Sequence, residues 1–578
     1  MSNPRIHFSL SFVEPQAHYV EVEMELSNFD QDFIDVKMPV WTPGSYLVRE
    51  YARHVESFSA TAGLQAVACH KQAKNTWRIH NLKKDVKVRY RVYAFEVSVR
   101  TNFVDQDHAF ISSAATFMYP EGYLNSPSTV QIQLPAQWSQ ISTGLPKLAD
   151  QDHSYYAENF DILFDSPLEI GNQDIWHFEA SGVQHEFAMV GGGSYNKQQL
   201  SADITKIVEV ETKIWGENPN RNYVFITHNY QVGGGGLEHL NSTVLGASRN
   251  AYKQPTAYKN FLGLVAHEYF HLWNVKRLRP KALGPFDYES ENYSTGLWIM
   301  EGFTSYYDNL IIRRCNFYSN REYLLQLAND FNIIYNRPGY QIQSAGLASF
   351  DTWIKQYRPD ENSSNTSISY YNKGAMLALA MDLKIIRETQ GNKRLDDVLK
   401  AAYQHFYKQE QRGFEEQEFQ ALAEQVSGVD LAEIFYAAHH DVELDYNSYF
   451  KPLGYQLQDL NAGSNELSLG LKTATVDGRI FIKVVERNAA AWDAGLSVDD
   501  ELIAINGTRL DSAGKELDFI LETGQVDDIV DILIARDGLI RTIHTPLRRT
   551  SKQVYSIFEN PEASEAEIAL GKIWLAEG

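Results

Sequence analysis

The stretch from residue 263 to residue 274, GLVAHEYFHLWN, is mostly apolar but contains His267, Glu268 and His271. Pro255 and Pro280 bracket it as the limits of a helix. Side chains four residues apart lie on the same face of a helix, with Cβ atoms about 5–6 Å apart. The apolar remainder would fix such a helix in a core, so its polar residues would be held rigidly against a cleft.

This spacing suits two imidazoles that bind one zinc ion, with Glu268 placed to take a proton from a water on the metal. The alternative is a pair of core histidines beside a surface glutamate. A zinc enzyme of this type needs a third protein ligand and an open fourth position. Glu301, in LWIMEGFTSYY, is the candidate, because it begins an apolar helix and Gly302 permits another helix to approach. Alone, Glu301 could equally be a glutamate stabilised by the helix dipole, but the upstream histidines favour the ligand.

Two further segments could complete a catalytic site. In NYQVGGGGLEHLNST, the glycines 233–236 would allow close approach of a peptide backbone, and Glu238 follows them. This carboxylate could pair with a substrate α-ammonium group, which would make an aminopeptidase; a flexible hairpin with a solvated glutamate is the alternative. SISYYNKGAMLALAMDL supplies Tyr370 and Tyr371. Either hydroxyl could stabilise an oxyanion or simply pack at a helix start, and spacing does not choose between them.

Hydrophobic patterning divides the chain into parts. In residues 1–172, runs such as YVEVEMEL, VKVRYRVYAF and TVQIQLP predict a β-sandwich-like domain. Residues 173–452 show mainly helical spacing after the strand-like YVFITH, and they carry the two histidines. Short strands return in residues 453–549, where Asn506-Gly507 predicts a hairpin turn. Residues 550–578 are predicted to be a C-terminal tail, acidic and exposed around NPEASEAE.

Charge and cysteine content narrow the classes of function. The formal net charge of −22 would repel phosphate backbones, so no nucleic acid partner is expected. Two cysteines are too few for a disulfide framework or a cysteine metal cage. The chain has no run of about 18 apolar residues, so no membrane partner is expected. We see no secretory signal and therefore expect a cytoplasmic protein, or a periplasmic one only if a signal was removed.

Together the motifs resemble those of the glycyl aminopeptidase family of zinc metallopeptidases that carry a PDZ domain. The resemblance rests on MPVWTPGSYLVREYARHV, GGGGLEHLNST, HEYFHLWNVKRLRP, LWIMEGFTSYY, the region from SFDTWIKQYRP to SISYYNKGA, and a PDZ-like module around AAAWDAGLSVDDELIAINGTRL. It implies a multidomain α+β protein with a thermolysin-like, mainly helical catalytic domain of the gluzincin type. It also implies one zinc ion per chain. The WTPGSY segment (41–46) is predicted to turn a loop that borders the cleft, without a catalytic role.

The resemblance implies a role for each candidate residue. The zinc ligands would be His267, His271 and Glu301, and Glu268 would be the general base. Gly235, Gly236 and Glu238 look like the counterpart of the Gly-x-Met-Glu-Asn loop by which more distant relatives, similar to aminopeptidase N, bind the substrate amine. Tyr371, just before Asn372-Lys373-Gly374, matches their catalytic tyrosine. The thirty positions from His271 to Glu301 exceed the spacing in those relatives, so KALGPFDYESENYSTG must loop out and return.

The predicted function is zinc-dependent removal of N-terminal residues from peptides with a free amino terminus. The resemblance implies small residues, glycine and alanine first. One alternative is a zinc endopeptidase with the same catalytic groups, in which Glu238 does not bind the amine. Another is an inactive, PDZ-bearing scaffold that binds peptides. In the PDZ-like module, Ser468-Leu469-Gly470-Leu471 could receive a peptide C-terminus, or the module could only pack against the peptidase.

Overall fold

The computed structural model describes residues 4–80, 83–149, 151–440 and 442–576. Its element order confirms the predicted fold class: a β-rich N-terminal domain, a mainly helical middle domain and a C-terminal PDZ region of strands. Within these ranges, no helix combines the length and the hydropathy that crossing a membrane requires.

The N-terminal domain is built almost entirely of strands. They are β1 (Arg5–Ser11), β2 (Tyr19–Ser27), β3 (Phe33–Lys37), β4 (Val55–Ala62), β5 (Gln65–Ala66), β6 (Cys69–Ala73), β7 (Thr76–His80), β8 (Val86–Tyr93), β9 (Phe103–Val104), β10 (Ala109–Ile111), β11 (Tyr119–Pro120), β12 (Ser128–Gln133), β13 (Gln140–Thr143), β14 (Ser154–Ala157) and β15 (Leu168–Gly171), with helix α1 at Phe160–Phe164. In the described residues they form a seven-stranded sheet, in the order β14-β12-β1-β2-β8-β4-β5, and two four-stranded sheets.

The alternating runs of the sequence become the central strands of the large sheet. In β2 every second residue from Val20 to Leu26 is buried. On the opposite face, the glutamates at 21, 23 and 25 lie across from the basic residues at 91, 89 and 87 of β8. A one-residue slip of either strand would bury these charges, so the alternation fixes the register of the pair.

The middle domain begins with a five-stranded sheet and continues with helices. Its strands are β16 (Asp174–Ala180), β17 (Val183–Val190), β18 (Asn222–Tyr230), β19 (Gly236–Glu238) and β20 (Ser242–Ser248), in the order β16-β17-β18-β20-β19. Its helices are α2 (Lys197–Trp215), α3 (Pro255–Phe270), α4 (Leu297–Arg314), α5 (Asn320–Tyr335), α6 (Ala345–Phe350), α7 (Ser363–Thr366), α8 (Tyr370–Glu388), α9 (Leu395–Ala402), α10 (Glu416–Ser427), α11 (Ala432–His439) and α12 (Tyr446–Phe450).

The connection from α3 to α4 joins the first two domains. The backbone carbonyl of Tyr288 accepts a hydrogen bond from the amide of Val40 (2.9 Å), and the Tyr288 hydroxyl donates to Asp161 (2.6 Å). Trp41 donates from Nε1 to the carbonyl of Asp287 (2.7 Å) and is fully buried in the core of the middle domain. The long segment between the two helices therefore loops out onto the N-terminal domain and returns.

The C-terminal region contains short strands and three helices. The strands are β21 (Tyr455–Asp459), β22 (Leu467–Ser468), β23 (Leu471–Val476), β24 (Arg479–Val485), β25 (Glu501–Ile505), β26 (Thr508–Arg509), β27 (Ile529–Arg536), β28 (Leu539–Pro546), β29 (Arg548–Arg549) and β30 (Tyr555–Glu559), and the helices are α13 (Ala490–Ala494), α14 (Lys515–Thr523) and α15 (Glu565–Trp574). The predicted turn joins β25 to β26, with φ of 50° at Asn506 and 78° at Gly507.

The two ends of the C-terminal region are tied to the middle domain. Strands β21 and β30 pair with each other. Asn332 of α5 and Asn336, the residue directly after α5, hydrogen-bond the backbone of Tyr555 and Gln553 respectively. NPEASEAE is largely exposed, but it leads into α15, whose Trp574 is buried and donates to the Tyr306 hydroxyl (3.0 Å). The last turn of α15 is therefore docked on the middle domain, which the sequence did not predict.

Candidate active site

The side chains of His267, His271 and Glu301 converge at the end of α3. The two histidine Nε2 atoms lie 3.1 Å apart, and Glu301 Oε2 lies 3.5 Å from that of His267 and 3.2 Å from that of His271. Helix α3 ends at Phe270, earlier than the proline bracket predicts, but the backbone of His271 is still helical (φ −63°, ψ −19°). The four-residue spacing therefore brings both rings together, and the second turn of α4 supplies the carboxylate.

Hydrogen bonds at Nδ1, on the side of each ring away from the triangle, orient both histidines. His267 Nδ1 lies 3.0 Å from Asp308 Oδ2, and His271 Nδ1 lies 2.8 Å from the carbonyl oxygen of Asn274. Donation from Nδ1 leaves each Nε2 with a free lone pair that points into the triangle. Sequence reasoning missed Asp308 and Asn274. Asp308 lies seven residues after Glu301, two turns further along α4, and this spacing is the signal that could have indicated it.

These three donor atoms fit a zinc ion. Donors held about 2.0–2.2 Å from one ion in a tetrahedral arrangement are about 3.3–3.6 Å apart, close to the separations observed. Burial opposes ionisation of Glu301, but His271 and His267 outweigh it and hold its pKa at about 2. Two imidazoles and an anionic carboxylate form a donor set typical of hydrolytic zinc sites with an open fourth position.

Glu268 lies in the same cleft, next to the backbone of β19. It is buried, and its Oε2 has no hydrogen-bond partner in the described part of the chain. Burial raises the pKa of the Glu268 carboxyl to about 7, against the opposing effect of His267. A Cβ atom on Gly236 would overlap with Glu268 Oε1, which explains the glycine at this position. The carboxyl group is therefore poised to exchange a proton near neutral pH.

Glu238 ends the edge strand β19 and lines the cleft. Only 4% of its surface is exposed, and Oε1 has no hydrogen-bond partner among the described residues. Gly44 of the N-terminal domain, with φ of +84°, packs on this carboxylate, and a Cβ atom there would lie 2.6 Å from Oε1. The WTPGSY loop thus borders the cleft. A buried carboxylate without a donor lies where a substrate cation would satisfy it.

The two adjacent tyrosines at the start of α8 point to different surroundings. Tyr371 lines the cleft, its ring centroid lies 6.4 Å from that of His267, and its hydroxyl lies 3.4 Å from the Tyr357 hydroxyl. Tyr370 is fully buried, and its hydroxyl lies 3.0 Å from Thr352 Oγ1. Only Tyr371 can therefore reach a group bound in the cleft.

Arg100 reaches the cleft from the N-terminal domain, and sequence reasoning missed it. Its Nη2 donates to the carbonyl of Gly236 (3.1 Å), and its Nε has no partner in the parts of the chain described. The cleft, of about 370 Å³, also contains Gly235, Glu238 and the three proposed ligands. Arg100 belongs to none of the motifs, and since it follows β8 in an ordinary stretch, no local signal could have indicated it.

A close contact between α4 and α8 fixes the carboxylate of Glu301 relative to Tyr371. A Cβ atom on Gly302 would overlap with the Cα of Gly374, and one on Gly374 would overlap with the carbonyl oxygen of Trp298. The backbones therefore touch at these two glycines. This contact explains why a glycine directly follows Glu301 and another lies three residues after Tyr371.

A second group of possible metal ligands lies between the first two domains. His108 Nδ1 and His228 Nε2 lie 2.8 Å from Oε1 and Oε2 of Glu169 respectively, and Glu169 is fully buried. These are hydrogen-bond distances, with one carboxylate oxygen for each ring. In the first triangle, by contrast, both rings turn a nitrogen toward a single oxygen. We interpret the second group as an ion-paired contact between domains.

The predicted peptide-binding loop of the PDZ region lies between β22 and β23. Gly470 has φ of +73°, and its N–H donates to Ser468 Oγ (2.9 Å). Within the described residues, β23 is the edge strand of its sheet, and most of its residues are exposed. An extended peptide could pair with this edge.

Three family models match the chain. They are the Peptidase M61 N-terminal domain over residues 7–172, the M61 glycyl aminopeptidase over residues 260–377 and the PDZ domain over residues 451–534. A search of curated proteins found no match.

A solved structure shares the architecture of this chain. An aminopeptidase N family protein from Idiomarina loihiensis is 28% identical, with a TM-score of 0.91 over 99% of this chain and 100% of that chain. A mutant M1 zinc metallopeptidase from Deinococcus radiodurans, bound to a Tyr-Ser-Ala substrate, is 12% identical, with a TM-score of 0.49 over 76% of this chain and 94% of that chain.

Proposed function

The chain belongs to the M61 glycyl aminopeptidase family of peptidases, and on that premise we propose that it is a zinc-dependent aminopeptidase acting on peptides with a free amino terminus. The observation that carries the proposal is the triangle of His267, His271 and Glu301, which opens into a cleft that also holds the unpaired carboxylate of Glu238. The family's glycyl description supports a preference for small N-terminal residues, glycine and alanine first.

His267, His271 and Glu301 would hold one zinc ion per chain. When bound, zinc supplies Lewis acidity, which acidifies water and polarises the scissile carbonyl. Asp308 and the carbonyl of Asn274 keep both imidazoles in the tautomer and orientation that binding requires.

The remaining residues of the cleft would divide the chemistry of hydrolysis. Glu268 would accept a proton from the attacking water, whose oxygen adds to the peptide carbonyl carbon. Tyr371 would donate a hydrogen bond to the oxyanion that forms. Glu268 would then pass the proton to the nitrogen of the departing amine as the C–N bond breaks. Glu238 would hold the α-ammonium group, so that only the first peptide bond reaches the reacting groups.

An acetylated substrate distinguishes an aminopeptidase from an endopeptidase. We expect Gly-Ala-Ala to be cleaved at least about 100-fold more efficiently in kcat/KM than its N-acetylated form, because only the free amine is cationic and can pair with Glu238. The Glu238→Gln variant should lose most of this discrimination through a higher KM for the free peptide. Equal cleavage of both peptides would reject the aminopeptidase in favour of an endopeptidase.

The Glu268→Gln variant distinguishes an enzyme from an inactive scaffold. Loss of a general base typically costs about 10²–10⁴ in rate, and amide replacement preserves the shape of the side chain. We expect kcat to fall by that factor while the zinc content per chain, measured by mass spectrometry of the metal, stays the same. Undiminished activity would remove Glu268 from its assigned role, and a zinc-free, inactive wild type would support the scaffold.

The PDZ domain gives a second proposed partner, a peptide with a free C-terminus. The open edge of β23 supports strand pairing, whereas the contact between Gly470 and Ser468 occupies one donor that a terminal carboxylate would need. Packing against the peptidase remains the alternative role.

A further inference from the structure

A cavity of about 320 Å³ lies on the N-terminal domain beside the catalytic cleft. Its basic lining residues are Arg49, Arg53, His54 and Arg358, and Glu96 is its one acidic lining residue among those described. Burial and the charge of Arg53 lower the pKa of His54, so its ring is neutral at pH 7. Three guanidinium groups therefore dominate the charge of this space, which we name the basic cavity.

Within the described parts of the chain, none of the three arginines forms an ion pair with a carboxylate, although Glu96 lines the same cavity. Arg49 donates to Ser45 Oγ (3.0 Å), and Arg358 donates weakly to the carbonyl of Val48 (3.5 Å). The chain has 74 acidic and 52 basic residues, so the positive charge of this cavity is opposite in sign to the net charge of the whole molecule. The basic cavity would therefore attract an anion.

The basic cavity and the catalytic cleft share their walls. Arg100 lines the cleft, while Thr101 and Asn102 line the cavity. The hydroxyl of Tyr51, on the cavity side, donates to the carbonyl of Arg100 (3.0 Å). A second shared wall is the segment that contains Gly44, on the cleft side, and residues 47–49, on the cavity side.

The turn before α7 that contains Tyr357 and Arg358 provides a third shared wall. The Tyr357 hydroxyl lies 3.4 Å from that of Tyr371 in the cleft, and its neighbour Arg358 lines the cavity. Three separate stretches of chain thus run from the cleft, or from a contact with Tyr371, to the lining of the cavity, so the two spaces are adjacent.

We infer that the basic cavity binds the C-terminal carboxylate of short peptide substrates whose amino terminus lies at Glu238. The inference rests on the proposed aminopeptidase function and adds a substrate class to it, namely oligopeptides of limited length. Arginine suits this role, because its planar guanidinium can donate two parallel hydrogen bonds to a carboxylate. An extended chain spans at most about 3.3–3.6 Å per residue, so a fixed separation between Glu238 and the arginines would select peptides of one length.

The test compares free acids with C-terminal amides in the series Gly-(Ala)n, with n from 1 to 5. At the length that spans both sites, amidation should raise KM at least about tenfold and change kcat less than twofold, because the amide carries no charge. In Arg53→Ala and in Arg358→Gln, the ratio of the two KM values should fall below about two. Both side chains are exposed, so each variant tests the inference if the other fails to fold. Arg5→Ala, an exposed arginine of β1 outside the cavity, is the matched control and should keep the wild-type ratio.

Glycine p-nitroanilide, which has no carboxylate, separates the inference about the basic cavity from the proposed aminopeptidase function. If it is hydrolysed and acids and amides have equal KM at every length, the inference about the basic cavity is overturned and the aminopeptidase stands. The same holds if the acid preference persists in both arginine variants. If neither glycine p-nitroanilide nor any peptide is hydrolysed, the proposed function itself fails.

Discussion

At the scale of single residues, the neighbours Tyr370 and Tyr371 offer a matched pair. We expect Tyr371→Phe to lower kcat by about 10²–10³, because it removes a hydroxyl that can stabilise an oxyanion. Tyr370→Phe should leave kcat within about twofold and cost about 1 kcal/mol of stability, since its buried hydroxyl contacts Thr352 and Tyr370 does not line the cleft. Steady-state kinetics on glycine p-nitroanilide and thermal unfolding of both variants provide the measurement. Equal losses of kcat would mean that the hydroxyl of Tyr371 has no special role.

The positions of site residues are predictable where residues close in space are also close in sequence. Helical periodicity alone places His267, Glu268 and His271 together, and the motif around Glu301 leads to the same cleft. Asp308 could have been found from its spacing on α4. Arg100 could not, because it reaches the cleft only through the packing of one domain against another, which no local pattern encodes.

At the scale of elements, the contact between α4 and α8 has a matched control in α3. We expect Gly374→Ala to lower the free energy of unfolding by about 1–3 kcal/mol or more, because its methyl group would overlap with the carbonyl of Trp298 and push the helices apart. Gly263→Ala places the same methyl group in open space on α3 and should be neutral or stabilise by up to about 1 kcal/mol. Chemical denaturation would measure both.

The same pair of variants also bears on the site. Since α4 carries Glu301 and α8 carries Tyr371, a separation of the helices should reduce kcat of Gly374→Ala on glycine p-nitroanilide as well. A Gly374→Ala variant as stable and active as the wild type would contradict the tight helix contact.

Elements with a strong hydrophobic periodicity were predictable, but the residues at which they end were less predictable. Strands β2, β8, β12 and β18 and the turn at Asn506-Gly507 lie where alternation and turn chemistry predict them. Helix α3 stops ten residues before Pro280. The chain turns after Phe270, and Asn274 then offers its carbonyl to His271 and donates from its side chain to the carbonyl of Met300 on α4. This tertiary contact decides the boundary, and helical propensity does not.

At the scale of the whole molecule, the group of His108, Glu169 and His228 should make the contact between domains depend on pH. Burial opposes ionisation of Glu169, but His108 holds its pKa below the usual 4.5, so its contribution to stability is lost as pH falls below that value. Burial likewise opposes protonation of His108, but Glu169 raises its pKa above 6.5, so that contribution is lost as pH rises beyond 6.5. Stabilisation by this group should therefore be greatest between about pH 5 and 6.5.

Thermal unfolding from pH 4 to pH 8 would measure this dependence. We expect Glu169→Gln to flatten the profile and to cost about 1–3 kcal/mol at pH 6, because it removes the charge that both rings contact. Glu186→Gln is the matched control: its partner His177 is largely exposed, so the loss should stay within about 0.5 kcal/mol. An unchanged profile in Glu169→Gln would show that the group does not control the contact.

The order of the domains was predictable from the sequence, but their mutual contacts were not. The change from period-two to helical patterning and back locates the three parts. Three contacts depend on surfaces that only folding creates. WTPGSY enters the core of the middle domain, the 281–296 segment returns to the N-terminal domain, and α15 docks on α4.

Asn365, on α7, links the C-terminal region to the segment of chain that leads to Tyr371. Its side chain donates to the carbonyl of Val485 (2.8 Å) and accepts from the amide of Arg487 (2.9 Å), while its backbone lies six residues before Tyr371. A rotation of the PDZ domain would have to break these two hydrogen bonds or displace the segment that leads to Tyr371. If a peptide bound at the edge of β23 moved the PDZ domain, we would expect a change in turnover without any contact between that peptide and the substrate.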